Sequence, residues 1–232
     1  MYPGFPAEGI EFLRKLARNN RREWFQPLKE IFEAKVKQPM IELVEAINAE
    51  LLKFAPEHIN DPKKAIYRIY RDTRFSSDKT PYKTNIGAIF PRRGSDREAS
   101  AGFYFQLDAK EVGIAGGMYM PTPPQLLAVR TWIAENHVEF RKMVKSAEKL
   151  AGKFHGESLT RIPKGFPADH PAADLIKMKR WVHWITLDVK VATTPKVVAE
   201  ITKRFRAMAP VIATLNTIAG AKTPKARAAI DF

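Results

Sequence analysis

The chain has 232 residues, of which 45% are hydrophobic and 28% are charged, a composition typical of a soluble globular protein. It contains no cysteine, which excludes a disulfide framework and any chemistry that depends on a thiolate. The formal net charge is +14, so we expect an anionic partner.

The sequence predicts neither export nor membrane insertion. The first residues lack the basic segment and following apolar segment that a secretory signal would have. No run of about 18 apolar residues occurs, so no transmembrane helix and no membrane partner are expected. We therefore predict a cytoplasmic location, with which the absence of cysteine is compatible.

The N-terminal part of the chain has the apolar spacing of helices. Apolar residues recur every three to four positions over residues 8–19, which predicts a first helix. A second helix is predicted to begin near Arg22. Pro39 is expected to kink or split it before a last stretch over residues 40–54.

The centre of the chain changes to the alternating pattern of β-strands. Four strands are predicted there, over Ala65–Arg71, Asn85–Phe90, Gly102–Asp108 and Val112–Met120. In the third of these, Phe105 and Tyr104 should point to opposite faces. Polar loops at residues 92–97 and 108–111 join the last three strands into an antiparallel meander. A further strand is predicted over Trp181–Val189.

Helices return after the strands. Thr122 and Thr194 each precede a proline, which predicts a helix start with the threonine as N-cap. Further helices are predicted over Val138–Leu150, over Ala172–Lys179 and from Pro210 to near Gly220. This order predicts one α+β domain over residues 1–220, a central antiparallel sheet of about four to five strands packed by N- and C-terminal helices. Residues 221–232 are predicted to be a flexible tail.

The most informative stretch is residues 66–84, in which cations are interleaved with aromatic rings. The cations are Arg68, Arg71, Arg74, Lys79 and Lys83, and the rings are Tyr67, Tyr70, Phe75 and Tyr82. The wider segment 61–97 carries ten cations and four anions, a balance of ten minus four, or +6. Arginine offers a planar fork to phosphate or carboxylate and stacks on rings. The stretch therefore predicts a site for an anion that carries a flat or phosphorylated group.

Strand alternation divides these cations. Arg68 and Arg71 face opposite sides of the first predicted strand, so the charges converge only if that strand ends near Arg71. The turn that follows would then gather the others, up to Lys83. Asp72 and Asp78 support a second interpretation, in which they pair with the neighbouring cations as a structural ion-pair network.

Two further segments allow both a structural and a ligand-binding interpretation. Asn19–Phe25 is expected to cap a helix and to pack its aromatic residues, and the alternative is ligand contact through Arg21 or Arg22. Gly113–Gly117 lacks the spacing of a dinucleotide-binding loop. Its glycines are expected to permit a bulge or close backbone contact, or to leave room for a ligand beside Tyr119.

Catalytic and metal-binding signals are weak. His170 could act as a general base oriented by Asp169 or Asp174, but Asp169 is more simply the N-cap of a helix that starts at Pro171. The five histidines are widely scattered, and no zinc-binding or paired-carboxylate motif is visible. No metal site is predicted, and no cofactor is assigned.

Several stretches carry a family resemblance. They are Phe12–Phe25, Arg71–Thr84, Gly102–Phe105, Gly116–Pro121, and Pro163–Phe166 with Asp169–Leu175. In this order they resemble the uncharacterised bacterial and fungal proteins of domain of unknown function (DUF) family 2461, over roughly residues 8 to 219. The resemblance implies a single α/β-type domain and supplies no activity that can be assigned to particular residues.

The predicted ligand site therefore rests on the residues themselves. Its members are Arg68, Arg71, Arg74, Lys79 and Lys83, which would bind charge, and Tyr104 and Tyr119, which would form a wall. The expected ligand is an anionic small molecule, phosphorylated or a nucleotide.

Two other classes of function remain open. The first is a nucleic-acid-binding module with a long basic face, including Arg92, Arg93, Arg97, Lys142, Lys145 and Lys149. The second is an enzyme of unknown reaction. An enclosed basic pocket would favour the small ligand, and an open basic stripe would favour nucleic acid.

Overall fold

A computed structural model describes residues 2–74 and 76–220. The α-helices in these ranges are α1 (Ala7–Arg18), α2 (Arg22–Phe25), α3 (Lys29–Phe32), α4 (Gln38–Leu51), α5 (Pro62–Ala65), α6 (Pro123–Ala151), α7 (Ala173–Ile176) and α8 (Val197–Gly220). The strands are β1 (Ile86–Pro91), β2 (Gly102–Leu107), β3 (Glu111–Met118), β4 (Phe154–His155) and β5 (Trp181–Asp188). The segment predicted as a flexible tail, residues 221–232, lies outside the described residues.

The strands form one antiparallel sheet in the order β1-β2-β3-β5-β4. The predicted α+β class is confirmed, with a sheet of four to five strands packed by helices from both ends of the chain. Because β3 pairs with β2 on one side and β5 on the other, it lies at the centre of the sheet. Tyr104, Ala115 and Trp184 are successive partners across these three strands.

One face of the sheet, here called the core face, is covered by the C-terminal helices. Phe103 and Phe105 of β2 are fully buried on it, and the Phe103 ring stacks on Phe205 of α8 with centroids 4.8 Å apart. Gly116 of β3 lets α8 come close, since a Cβ there would lie 2.8 Å from the sulfur of Met208. Helix α8 also packs against α6 and α4, so these helices and the sheet enclose the core.

The N-terminal helices form an aromatic cluster. Phe12 of α1 contacts Trp24, Phe25 and Phe32, with ring centroids 5.6 to 6.0 Å apart. Phe25 also stacks on Tyr82, which precedes β1, at a centroid distance of 4.2 Å. The expectation that Trp24 and Phe25 pack is confirmed, and the cluster ties the N-terminal helices to the segment before the sheet.

The strand predicted over Ala65–Arg71 is wrong. That segment is extended but makes only isolated bridges, at Ile66 and Tyr70. Its start belongs to α5, whose N-cap Asp61 accepts hydrogen bonds from two backbone N–H groups. Alternation of side chains predicted an extended backbone correctly, but it does not say whether a partner strand runs alongside.

One predicted helix boundary is confirmed and another is wrong. The helices expected around Thr122 and over Val138–Leu150 both lie within α6, where a kink at Asn136, with φ −124° and ψ 28°, separates them. Pro210 lies inside α8 and does not begin a new helix. The buried residues on both sides of Pro210 hold the helix together where local propensity would end it. Near Pro39 the predicted disruption is present, as a π-helical turn over Glu33–Lys37.

Among residues 2–74 and 76–220, no helix is both long and apolar enough to cross a membrane. The assignment of residues 1–220 to one domain stays a prediction.

A buried amide links α8 to the start of β2. Asn216 donates from Nδ2 to the carbonyl of Ala101 and accepts the N–H of Ala101 at Oδ1, both at 3.0 Å. Asn216→Ala should lower the free energy of unfolding by about 2 kcal/mol or more, because two buried peptide groups lose their partners. Thr217→Ala, on the exposed side of the same helix, is the matched control and should stay within about 0.5 kcal/mol. Urea denaturation measures both, and equal losses would contradict the assigned role of Asn216.

Candidate functional site: a basic, aromatic cavity

The face of the sheet opposite the core face, here called the open face, contains a cavity of about 550 Å³. The cavity exists because the middle and end of β3 present the small residues Gly113, Ala115 and Gly117 to this face. Tyr104 and Trp184, on the two neighbouring strands, stand on either side of Ala115. The volume is in the range of small-molecule binding sites.

The lining comes from three parts of the chain. The segment before β1 supplies Tyr67, Arg71, Lys83 and Asn85, the β1–β2 connection supplies Glu98 and Ser100, and the strands and the residue after β3 supply Tyr104, Gln106, Trp184 and Tyr119. Large rings and charged groups therefore surround the small residues of β3.

The structure brings together four of the seven residues predicted for the site. Arg71, Lys83, Tyr104 and Tyr119 line the cavity. Arg68, Arg74 and Lys79 do not line it, and they lie on exposed parts of the segment. Lys79 donates from Nζ to the carbonyl of Thr73 at 2.9 Å, within the turn that precedes Lys83.

That turn is organised by its two aspartates. Arg74 binds Asp72 through two side-chain hydrogen bonds of 3.0 and 2.8 Å, and these bonds lower the pKa of Asp72 to about 2. Asp78 accepts the N–H and the hydroxyl of Thr80 and pairs with Arg71, which together lower its pKa to about 2. The turn thus contains local ion pairs, while Arg71 also reaches the cavity.

Lys83 is positioned by backbone pairing and by Asn20. The Lys83 N–H donates to the carbonyl of Ile69 at 2.7 Å. The Asn20 amide donates to the carbonyl of Tyr82 at 2.9 Å and accepts the Tyr82 N–H at 3.0 Å. The sequence predicts that Asn19 and Asn20 cap a helix, and Asn19 does so at the C-terminal end of α1. Asn20 instead fixes the residue next to Lys83.

The charge of Lys83 is half-buried, over an aromatic ring and near other cations. Its Nζ is 4.9 Å from the centroid of the Tyr67 ring, and the guanidinium of Arg97 lies 4.4 Å from the same ring. Burial lowers the pKa of Lys83, and the positive charges of Arg68 and Arg97 lower it further. In the part of the chain that the structure describes, Lys83 has no carboxylate within ion-pair distance.

Neutral hydrogen-bonding groups complete the cavity. Burial raises the pKa of both Tyr104 and Tyr67, so their phenols stay protonated. The Tyr104 hydroxyl donates to Oε1 of Gln106 at 2.8 Å, and Nδ2 of Asn85 donates to the same oxygen at 3.3 Å. The cavity lining therefore combines cations at one edge with side-chain amides and protonated phenols.

His170 lies outside this cavity. Its Nδ1 accepts the backbone N–H of Ala172, and Asp174 pairs with Arg141 and not with His170. The expected N-cap at Asp169 is wrong, because α7 begins after Ala172 and no side chain caps it. Among the described residues, no group of three or more His, Asp or Glu is arranged to hold a metal ion.

Residues missed by the sequence analysis had only partial signals. Gln106 shares a strand face with Tyr104, so alternation alone would have placed it in the site. Trp184 lies in a predicted strand, but only the pairing of β3 with β5 brings it beside Ala115. Glu98 follows the polar loop, and no local pattern directs it toward the cavity.

The sequence of this chain matches a known protein family over most of its length. The sequence model of the family described as conserved hypothetical protein (DUF2461) matches residues 8–213, so the chain belongs to that family. The matched range includes every residue that lines the cavity, from Tyr67 to Trp184. A comparison with curated proteins found no match.

Replacement of Lys83 tests the electrostatics of the cavity without any ligand. Since the pKa of Lys83 is lowered from its ordinary value of 10.5, the folded protein holds this proton less tightly than the unfolded chain does. Lys83→Met should therefore stabilise the protein at neutral pH by a fraction of a kcal/mol, because solvent screens a half-buried charge. Methionine keeps a favourable contact with the Tyr67 ring.

The gain from Lys83→Met should shrink as the pH approaches 10.5, where the wild-type lysine becomes neutral in the folded state. Lys79→Met, in the exposed turn, is the matched control and should show no gain. Denaturant titrations near neutral pH and near the upper pH measure both variants. A loss of stability in Lys83→Met at neutral pH would contradict the assigned repulsion.

Proposed function

We propose that this protein binds an anionic small molecule, phosphorylated or a nucleotide, in the cavity above Ala115. The observation that carries the proposal is Lys83, a half-buried cation next to Arg68 and Arg97 that has no carboxylate within ion-pair distance among the described residues. An anion in the cavity would offset the repulsion among these charges and the desolvation of Lys83.

A second cation supports the same ligand. Arg71 lines the cavity and is held in place by Asp78 and by a 2.9 Å hydrogen bond to Thr80. A guanidinium oriented in this way presents its remaining N–H groups in a fixed direction, as recognition of phosphate requires.

The cavity lining also includes one acidic residue, Glu98, whose side chain lies on the exposed rim.

The shape of the basic surface favours a small ligand over nucleic acid. The cations Lys142, Lys145 and Lys149 lie on α6, which packs against α8 on the core side of the sheet, whereas the cavity is on the open face. A nucleic-acid-binding module would need cations from both sides of the sheet to contact one nucleic acid.

An enzymatic reaction is a further alternative, for which no catalytic residue is assigned. The absence of cysteine supports the proposed cytoplasmic location.

Ligand-induced stabilisation tests the proposal directly. Nucleotides and sugar phosphates should raise the melting temperature of the wild type, since a ligand at a hundredfold excess over its Kd stabilises by about 2.7 kcal/mol. Lys83→Met should lose most of that shift, and Lys79→Met should keep it. Because Lys83→Met is expected to be more stable without ligand, unfolding would not explain the loss.

Two results would contradict this assignment. One is an equal shift in wild type and Lys83→Met, which would place the anion elsewhere. The other is binding of short oligonucleotides that falls steeply with salt and is unchanged by Lys83→Met, which would favour the nucleic-acid module.

The two arginines of the turn give a second test. Arg71→Ala should weaken phosphate-ligand binding by about tenfold, the effect of losing a charged hydrogen bond of roughly 1.4 kcal/mol. Arg74→Ala should change it less than about twofold, because Arg74 is engaged with Asp72 outside the cavity. Isothermal titration calorimetry compares them. If Arg71→Ala destabilises the fold and leaves affinity unchanged, Arg71 belongs to the structural ion-pair network alone.

A further inference from the structure

The two rings beside Ala115 lie low against the sheet because glycines stand beneath them. A Cβ on Gly87 would lie 2.6 Å from the hydroxyl oxygen of Tyr104, and a Cβ on Gly113 would lie 2.8 Å from Cζ2 of Trp184. The ring centroids of Tyr104 and Trp184 are 6.4 Å apart, and their planes differ by only 29°. The two nearly parallel rings of Tyr104 and Trp184, with Ala115 between their strands, are here called the aromatic floor.

Aromatic and charged residues surround the aromatic floor. The Tyr67 ring lies 6.1 Å from that of Tyr104 at an interplanar angle of 64°. The guanidinium of Arg180 covers the Tyr119 ring at 4.7 Å from its centroid. Lys83 lies against Tyr67, so the charge is at the side of the cavity and not on its floor. A ligand that meets both features needs a flat part and a separate anionic part.

The polar groups at the floor are suited to the edge of a heterocycle. Asn85 and Gln106 are joined by a hydrogen bond of 3.3 Å, and both line the cavity. A side-chain amide carries both a donor and an acceptor, the combination that base edges also present. Aromatic side chains stack on any base, because every base has a π-face.

We propose that the ligand is a nucleotide whose base stacks on the aromatic floor while its phosphate meets Lys83 and Arg71. This inference rests on the proposed function, since the phosphate contact is the same one. It goes further by ranking sugar phosphates and inorganic phosphate below nucleotides in affinity, because they have no flat aromatic ring to cover Tyr104 and Trp184. A volume of about 550 Å³ accommodates a molecule of nucleotide size.

The experiment compares AMP and UMP with ribose phosphate, which keeps the charge and lacks the base. Calorimetry should give an affinity for the nucleotides roughly tenfold or more above that for ribose phosphate, as expected for one stacked base. Binding of AMP should quench part of the tryptophan emission. Ribose phosphate should not quench it.

Variants of Trp184 separate stacking from structure. Trp184→Phe keeps an aromatic surface, so it should bind AMP within a few-fold of the wild type and lose the quenching. Trp184→Leu should weaken AMP by about tenfold and leave ribose phosphate unchanged. Trp181, buried on the core face of the same strand, keeps its emission in both variants as an internal reference.

A variant of Ala115 tests the same stacking independently, so that the test stands even where Trp184→Leu does not fold. Ala115→Val raises the floor from β3 with a residue that strands favour, and it should reduce AMP binding about tenfold without affecting ribose phosphate. Thr186→Val, on an exposed position of β5, is its control and should bind AMP normally.

The possible failures are distinguishable. Equal affinity for AMP and ribose phosphate, both abolished by Lys83→Met, would overturn the nucleotide assignment and leave the anion site standing. Tight AMP binding that survives both Trp184→Leu and Ala115→Val would also overturn it. Absence of binding by all three compounds would overturn the proposed function together with this inference.

Discussion

The size of the side chains on β3 is the constraint on which the rest of the structure depends. β3 pairs on both sides, so its two faces determine what can lie above and below the centre of the sheet. Val112, Ile114 and Met118 are fully buried on the core side, whereas on the open face Ala115 lines the cavity and Gly113 lies beneath the Trp184 ring. A large side chain at position 113 would collide with the Trp184 ring. A large side chain at position 115 would fill the space between Tyr104 and Trp184.

The charges around the cavity follow a different principle from those of the turn beside it. Asp72 and Asp78 each have an arginine partner at the exposed turn, where solvent screens such pairs and they contribute little to stability. Lys83 is less exposed to solvent and has no carboxylate within ion-pair distance in the described residues. Its charge therefore opposes folding. A group that destabilises the empty protein is one that a bound anion can stabilise. The charge of Lys83 therefore lowers the stability of the protein, while in the proposed site the same charge favours binding of an anion.

The site also depends on parts of the chain that are distant in sequence. Asn20 fixes the backbone of Tyr82 by two hydrogen bonds, and Phe25 stacks on the Tyr82 ring. The N-terminal helices thus hold the segment that carries Lys83 against the sheet. An Asn expected to cap a helix instead makes a long-range contact, which no local rule distinguishes from capping because both use the same side-chain amide.

The sequence by itself determined the α+β class, the alternation that separates Phe105 from Tyr104, and the concentration of cations before β1, because all three are local patterns of polarity and charge. It also grouped Arg71, Lys83, Tyr104 and Tyr119 in one predicted site, and these four residues line the same cavity. Only the tertiary structure decided that Arg74 and Lys79 remain in the turn and that Trp184 joins the site. Strand pairing, and with it the row from Tyr104 through Ala115 to Trp184, depends on contacts between segments far apart in the chain. Such contacts leave no periodic signal in any one of the segments.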